Sequence, residues 1–312
     1  MEAESTQSLR TLGDFIRWGA SQFQAAGLHF GHGTDNALDE AAALVLGSLH
    51  LPPDLHAVYF SCALSGDERA RLFMRIDERI RSRRPVPYIL GEAWFCGLAF
   101  EVDEAVLIPR SPVAELIESG FAPWAAPDRL ERVADVGTGS GCIAVATALA
   151  LPGVEVDALD CSSAALSRAT DNAARHGVAE RVHVRESDLL GAIAPEPVLD
   201  LIVCNPPYVD AAAMASLPPE YGHEPREALA AGEDGLDAVR RLLPQAARRL
   251  SDDGVLIAEV GHGATAFEAA FPALPVTWLE FERGGHGVFA IDAQALRDAF
   301  PGSGDPTCDG DD

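Results

Sequence analysis

An α/β architecture with a mostly parallel sheet, preceded by a small helical region and a β-hairpin linker, follows from three observations along the 312-residue chain. After Arg132, short apolar runs alternate with helix-like stretches, the pattern of a parallel sheet covered by helices on both faces. Before Arg84, apolar residues recur at helical spacing. Between them, over residues 85–108, aromatic and branched residues alternate and are broken by Gly91 and Gly97.

The elements are justified in order. A first helix is predicted over residues 8–26, with Leu9, Leu12, Phe15, Ile16 and Phe23 on one stripe. A second follows Thr34 and Asp35, either of which suits a cap, and carries Leu38, Ala42, Val45, Leu46 and Leu49. Ser65 and Glu68 form an S-x-x-E capping box for a third. It runs through Leu72, Ile76 and Ile80 to Arg79, Arg81, Arg83 and Arg84, a cluster that suits a helix C-terminus. Ser111 with Pro112 at the first helical position opens a further helix through Glu118. Parallel strands are expected at residues 133–136, 154–159, 182–184, 199–204 and 255–260. Runs at 276–281 and 288–291 flank Gly284, Gly285 and Gly287, the mark of a hairpin that closes the sheet. The organisation is then a helical region at 1–84, a hairpin linker at 85–110, a sheet domain at 111–300 and a disordered tail at 301–312, rich in Gly, Asp, Pro and Ser.

Composition narrows the function. A hydrophobic share of 48% and a charged share of 23% provide for a sizeable core. No apolar run approaches the ~20 residues that cross a bilayer, and Met1 to Arg10 lacks the layout of a secretory signal, so a cytoplasmic protein without a membrane partner is expected. Cys62, Cys96, Cys142, Cys161, Cys204 and Cys308 are scattered and mostly flanked by apolar residues, as expected of free buried thiols. His29 and His32 have near-ligand spacing but no second pair nearby; they read as loop or surface histidines, and no metal site is expected. A formal net charge of -25 argues against a duplex-DNA binder and is compatible with a basic protein partner. All basic residues are arginine, a coding bias from which nothing functional follows.

The chemistry lies at the expected strand ends. Asp135-Val136-Gly137-Thr138-Gly139-Ser140-Gly141 is a strand running into a glycine turn that opens a helix, where backbone approaches a ligand without intervening Cβ atoms. Its G-x-G-x-G spacing departs from the dinucleotide fingerprint G-x-G-x-x-G. Asp160 ends the next strand, ~20 residues on, where a ribose diol is bound in such sheets. Asp188 follows the third and can accept from an exocyclic adenine amine. Together these groups suit an adenosyl ligand. Asn205-Pro206-Pro207-Tyr208 follows the fourth strand. An amide nitrogen is a poor nucleophile because its lone pair is delocalised, so attack on a methyl sulfonium demands that the lone pair be turned toward the carbon. The Asn205 side-chain oxygen and the Pro206 carbonyl can accept the two N–H bonds and impose that geometry. Consecutive prolines stiffen the turn, and Tyr208 can lie against a flat amide.

D-x-G-T-G-S-G followed by N-P-P-Y resembles the amino-methyltransferase group of the seven-stranded, Rossmann-like class I methyltransferases. N-P-P-Y, with Pro87-Tyr88-Ile89-Leu90-Gly91, Trp94-Phe95, Ile108-Pro109-Arg110, His223-Glu224-Pro225 and Gly232-Glu233-Asp234-Gly235-Leu236, is similar to the protein-glutamine N5-methyltransferases over residues 85–291. Arg110-Ser111-Pro112, Ala93-Trp94-Phe95-Cys96-Gly97 and the stretch from Leu217 to Tyr221 are similar to the branch that modifies large-subunit ribosomal protein L-three, a basic protein. The release-factor branch, which usually carries Arg-Pro and an acidic cluster after Ile-Pro, is the alternative. The resemblance implies S-adenosyl-L-methionine held by Asp135, Gly137, Thr138, Gly139, Gly141, Asp160, Cys161, Asp188 and Asn205. Cys161 would contribute backbone only. It implies a glutamine seated by Asn205, Pro206, Pro207 and Tyr208, with Arg110 nearby, and Asn205, Pro206 and Tyr208 as the catalytic group. Glu259 also lies in a similar local motif.

Three other readings explain less. A nucleic-acid adenine N6-methyltransferase shares the looser [DNS]-P-P-[YFW] but calls for a basic patch. A nicotinamide dehydrogenase leaves N-P-P-Y without a purpose, and a non-catalytic assembly factor has no use for the intact Asn205.

Overall fold

The computed structural model describes residues 8–196 and 198–301. The expected tail, with Cys308, lies almost wholly outside them. They divide into two compact units. One comprises the described residues up to Ala93 with Val102–Glu104 and Pro218–His223; the other comprises Trp94–Glu101, Ala105–Leu217 and the described residues from Glu224 onward.

The first unit is helical. α1 (Leu12–Ala25) is opened by a capping box in which Thr11 Oγ1 accepts from the Asp14 amide and Asp14 accepts from the Thr11 amide. That box starts the helix four residues later than the apolar stripe suggests. α2 (Ala37–Ser48) is capped by Asn36, neither Thr34 nor Asp35: only Asn36 adjoins the first turn, and its Oδ1 accepts from the Leu38 and Asp39 amides, both at 3.0 Å. α3 (Gly66–Ser82) begins at the expected Ser65/Glu68 box. Phe15, Phe23, Leu44, Leu72 and Ile76 form the centre of the unit's core. Arg79 belongs to this interior: it is fully buried, its Nε donates to Glu40 at 2.6 Å, and Glu220 stands 3.9 Å away. Glu220 also takes Arg83 at 2.8 Å. His32 lies in a loop, one of the two placements expected of it, but it is buried, with its ring 4.5 Å from that of Tyr221.

Residues 85–108 are not wholly a hairpin. Pro87 sits in the first turn of a short helix, α4 (Val86–Leu90), which buries Val86, Tyr88 and Ile89. The hairpin follows as β1 (Glu92–Phe95) and β2 (Leu98–Glu101). Its two turn residues, Cys96 and Gly97, both have positive φ, as tight two-residue hairpins require.

In the second unit, α5 (Val113–Glu118) starts one residue after Pro112. Then come β3 (Arg132–Val136), α6 (Cys142–Ala150), β4 (Glu155–Asp160), α7 (Ser163–Arg175), β5 (Val182–Glu186) and β6 (Leu199–Cys204). They are followed by α8 (Ala211–Met214), α9 (Asp237–Arg249), β7 (Leu250–Glu259), α10 (Ala264–Ala270), β8 (Thr277–Trp278), β9 (Val288–Asp292) and α11 (Ala293–Ala299). The seven-stranded sheet has the order β5-β4-β3-β6-β7-β9-β8, the Rossmann-like class I methyltransferase arrangement. β5 to β7 are parallel; β9 is antiparallel to both its neighbours. Two apolar clusters cover the two faces, one around Val133, Val145 and Val203, the other around Ile202, Leu242 and Phe289.

Register positions the site. Val136 pairs with Leu159 on one side and Cys204 on the other, so the chain leaves β3, β4 and β6 at one level. β3 and β6 adjoin where the strand order reverses, which is where open α/β sheets bind ligands. Among the described residues no helix is long and apolar enough to cross a membrane.

Candidate active site

The turn after β3 is held from behind. Asp135 is buried; its Oδ2 accepts from the Thr138 hydroxyl at 2.6 Å and from the Ala144 amide at 3.0 Å. Gly141 opens α6 at φ 79°, and a Cβ there would come within 3.0 Å of Ala169 Cα and Cβ. Burial pushes the Asp135 carboxyl up to about 7; the Thr138 and Ala144 bonds oppose this and the Asp160 charge adds to it. A carboxyl raised on folding contributes stability that is fully present below about pH 4 and is lost as pH rises through 7. Between pH 5.5 and 8 the wild type therefore loses on the order of 2 kcal/mol that Asp135→Asn does not lose. Melting curves at both pH values check this: the variant's advantage widens toward pH 8.

Asp160 shapes the turn from the front. Its Oδ2 accepts from the Gly139 amide and its Oδ1 from the Ser162 amide, each at 2.9 Å. A carboxylate has about four acceptor positions, so each oxygen keeps capacity for a hydroxyl.

Beyond these groups lies a cavity of about 210 Å³ lined by Gly137, Gly139, Asp160, Cys161, Asp188, Asn205, Pro206 and Pro207, with Val106, Leu107 and Leu189 among its apolar walls. Asp188 also pairs with Arg241 at the rim. Among the described residues Asn205 Oδ1 is buried without a hydrogen-bond partner. An orphaned buried acceptor calls for a donor from a ligand or water.

Five expected residues stand off this wall. Asp135, Thr138 and Gly141 brace the turn, as described. Arg110 makes a two-pronged pair with the buried Glu224, its Nη2 at 2.8 Å from Oε2, and Glu224 also accepts from the Ile108 amide at 3.2 Å. Tyr208 donates its hydroxyl to Glu259 Oε1 at 2.9 Å. The opposite oxygen of Glu259 accepts from Ser111 at 2.8 Å. Burial raises the Glu259 carboxyl, against the pull of Ser111, Tyr208 and Arg110.

The chain is 46% identical over 297 residues to the ribosomal protein uL3 glutamine methyltransferase of Bordetella pertussis, covering 95% of this chain and 99% of that protein. The proteins of the same name from Xanthomonas campestris pv. campestris and Xylella fastidiosa are 45% and 44% identical, each over 95% of this chain and 96% and 94% of theirs. The chain belongs to the ribosomal protein uL3 glutamine methyltransferase family. The family model of the methyltransferase small domain also matches residues 124–218. In this methyltransferase that span contains the glycine turn, Asp160, Asp188 and Asn205–Tyr208.

The cofactor is S-adenosyl-L-methionine, and the residues present fit it. At Gly139, apart from its chain neighbours, no atom of the described residues lies within 4 Å of where a Cβ would sit, so the backbone is open to a ligand. Asp160 and Asp188 offer acceptors along one side of the cavity, and the apolar walls suit a base. Three features of the candidate site have no counterpart in the sequence reading: Glu224 as the partner of Arg110, Arg241 as the partner of Asp188, and Gly261 against the ring of Tyr208. Each depends on residues brought together from separate elements. The cysteines divide differently from expectation: all five described are free, yet Cys62 and Cys161 are exposed and only Cys142 and Cys204 are buried.

Proposed function

We propose that this chain transfers the methyl group of S-adenosylmethionine to the side-chain amide N5 of a glutamine in the large-subunit ribosomal protein uL3. The observation that carries the chemistry is the orphaned, buried Asn205 Oδ1 on the cavity wall. The relatives' shared name supports the substrate.

S-adenosylmethionine supplies an electrophilic methyl on a sulfonium. The protein's task is to present a weak nucleophile. Asn205 Oδ1 and the Pro206 carbonyl accept the two amide N–H bonds, which aims the nitrogen lone pair across the cavity. Pro206 and Pro207 have no N–H to compete for those acceptors. Tyr208 bounds the flat face of the amide. Gly137 and Gly139 admit the cofactor, Asp160 takes its ribose hydroxyls and Asp188 its adenine amine. Asp135, Thr138 and Gly141 keep the turn in shape, and Arg110 acts through Glu224 on segment 108–112. On this reading the enzyme works in the cytoplasm; the net charge of -25 supports a basic protein partner and the lack of nucleic-acid specificity.

The test is transfer of labelled methyl to purified uL3, release factor and DNA, side by side. Label on one glutamine of uL3 is expected. Label on release factor alone would keep the chemistry and replace the substrate; label on DNA alone would remove both. Asp160→Ala is expected to bind the methyl donor roughly tenfold to a hundredfold more weakly, because hydrogen bonds to a charged acceptor are lost. Titration calorimetry measures it, and unchanged affinity would take the ribose from Asp160.

A further inference from the structure

One stretch of chain holds Tyr208 on two sides. Its hydroxyl is bonded to Glu259, the last residue of β7. Its ring lies against Gly261, where a Cβ would sit 2.6 Å from ring carbon Cε2 and 3.0 Å from Cζ. Gly261 has φ 49°, and it is backed in turn by Gly287, where a Cβ would fall 1.9 Å from the Gly261 carbonyl oxygen. The ring has a rigid floor, and its far end is tethered to the same turn that forms the floor.

The tether is a carboxylate only 5% exposed. A buried carboxylate is costly unless fully hydrogen-bonded, and an apolar side chain would serve packing as well or better. Its two donors come from segments next to the site. Tyr208 ends the N-P-P-Y turn, and Ser111 follows Arg110. Both carboxylate oxygens are thus committed to holding neighbours in place, and neither reaches the cavity wall.

We propose that Glu259 is a positioning residue for methyl transfer: it tethers the Tyr208 hydroxyl so that, over Gly261, the phenol ring keeps the plane against which the acceptor amide is laid. The proposal rests on the role given to Tyr208 above. What the role requires is an acceptor for the phenol. A glutamine at 259 meets that requirement, with its oxygen accepting from Tyr208 and its amide group donating to Ser111 Oγ.

Initial rates with uL3 and labelled methyl donor, together with donor affinity and melting temperature, are compared for the full chain and for Glu259→Ala, Glu259→Gln, Tyr208→Phe and the Glu259→Ala/Tyr208→Phe double variant. Glu259→Ala and Tyr208→Phe each lower kcat roughly tenfold to a hundredfold while donor affinity stays near that of the wild type. The double variant is no slower than the slower single one, because both changes remove the same bond. Glu259→Gln remains within about fivefold of the wild type. A wild-type rate in Glu259→Ala or Tyr208→Phe, losses that multiply in the double variant, or Glu259→Gln as slow as Glu259→Ala would overturn the proposal. Should Glu259→Ala not fold, Tyr208→Phe and Glu259→Gln decide, since the first removes only a hydroxyl. Failure of the wild type on uL3 strikes the substrate reading instead, and the same variants are then measured on whichever protein the wild type methylates.

Discussion

Asn205→Ala loses about 10²- to 10³-fold in kcat while its affinity for S-adenosylmethionine changes far less. The reason is in the wall of the cavity: Asn205 Oδ1 is buried and has no hydrogen-bond partner among the described residues. An acceptor kept in that condition costs stability until a donor arrives, and on the proposed function that donor is the acceptor amide. With alanine the acceptor amide retains only the Pro206 carbonyl and can rotate about that one bond. The lone pair then points at the methyl carbon in a small fraction of encounters. Removing a directional contact made during reaction lowers kcat, and a change in KM alone would signify ordinary binding. Single-turnover methyl transfer with saturating donor separates the two, and a wild-type rate would end the mechanism.

Glu40→Ala destabilises the helical unit by about 3–5 kcal/mol, the usual cost of breaking a buried ion pair from one side. Arg79 has no exposed surface, and Glu40 takes its Nε at 2.6 Å. The remaining carboxylate, Glu220, is 3.9 Å from Arg79 and already holds Arg83 at 2.8 Å. Removing Glu40 also releases the Thr34 hydroxyl, which bonds its other oxygen at 3.1 Å. Trp18, which packs on Phe15 and Phe73 within this unit, gives a local fluorescence signal for denaturant titration. A shift below about 1 kcal/mol, the size of an exposed pair, would show that water reaches Arg79.

The elements that place the site were legible because parallel strands buried on both faces are written as unbroken apolar runs. Those runs end where Gly137, Asp160, Asp188 and Asn205 begin, and the register of β3 with β4 and β6 brings their ends to one level. The α4 helix was not legible. Five residues that include Pro87 and follow Pro85 show no helical period, and their branched and aromatic side chains look like strand. The cap of α2 turned on which of three adjacent polar residues meets the first turn. Arg79 is instructive, since its spacing from Leu72 and Ile76 puts it on the apolar stripe of α3, yet its charge argued for the surface. Its partners, 39 and 141 residues away, become visible only in the fold. The same holds for Arg110 and Glu224, 114 residues apart, and for the bond by which the Thr138 hydroxyl donates to Asp135, two residues the sequence presents as ligand groups.

Neither compact unit is a continuous piece of chain, because Pro218–His223 is counted with the helices although both flanks belong to the sheet. Glu220 is the member of that hexapeptide which meets Arg79 and Arg83. The helical unit is therefore not a cassette that one cut releases. A chain ending after Ala93 would carry two arginines deprived of a shared counter-ion, and a sheet unit lacking the helices would display a carboxylate made for burial. To keep its own counter-ion, an excised helical unit has to take Pro218–His223 with it, along with Val102–Glu104.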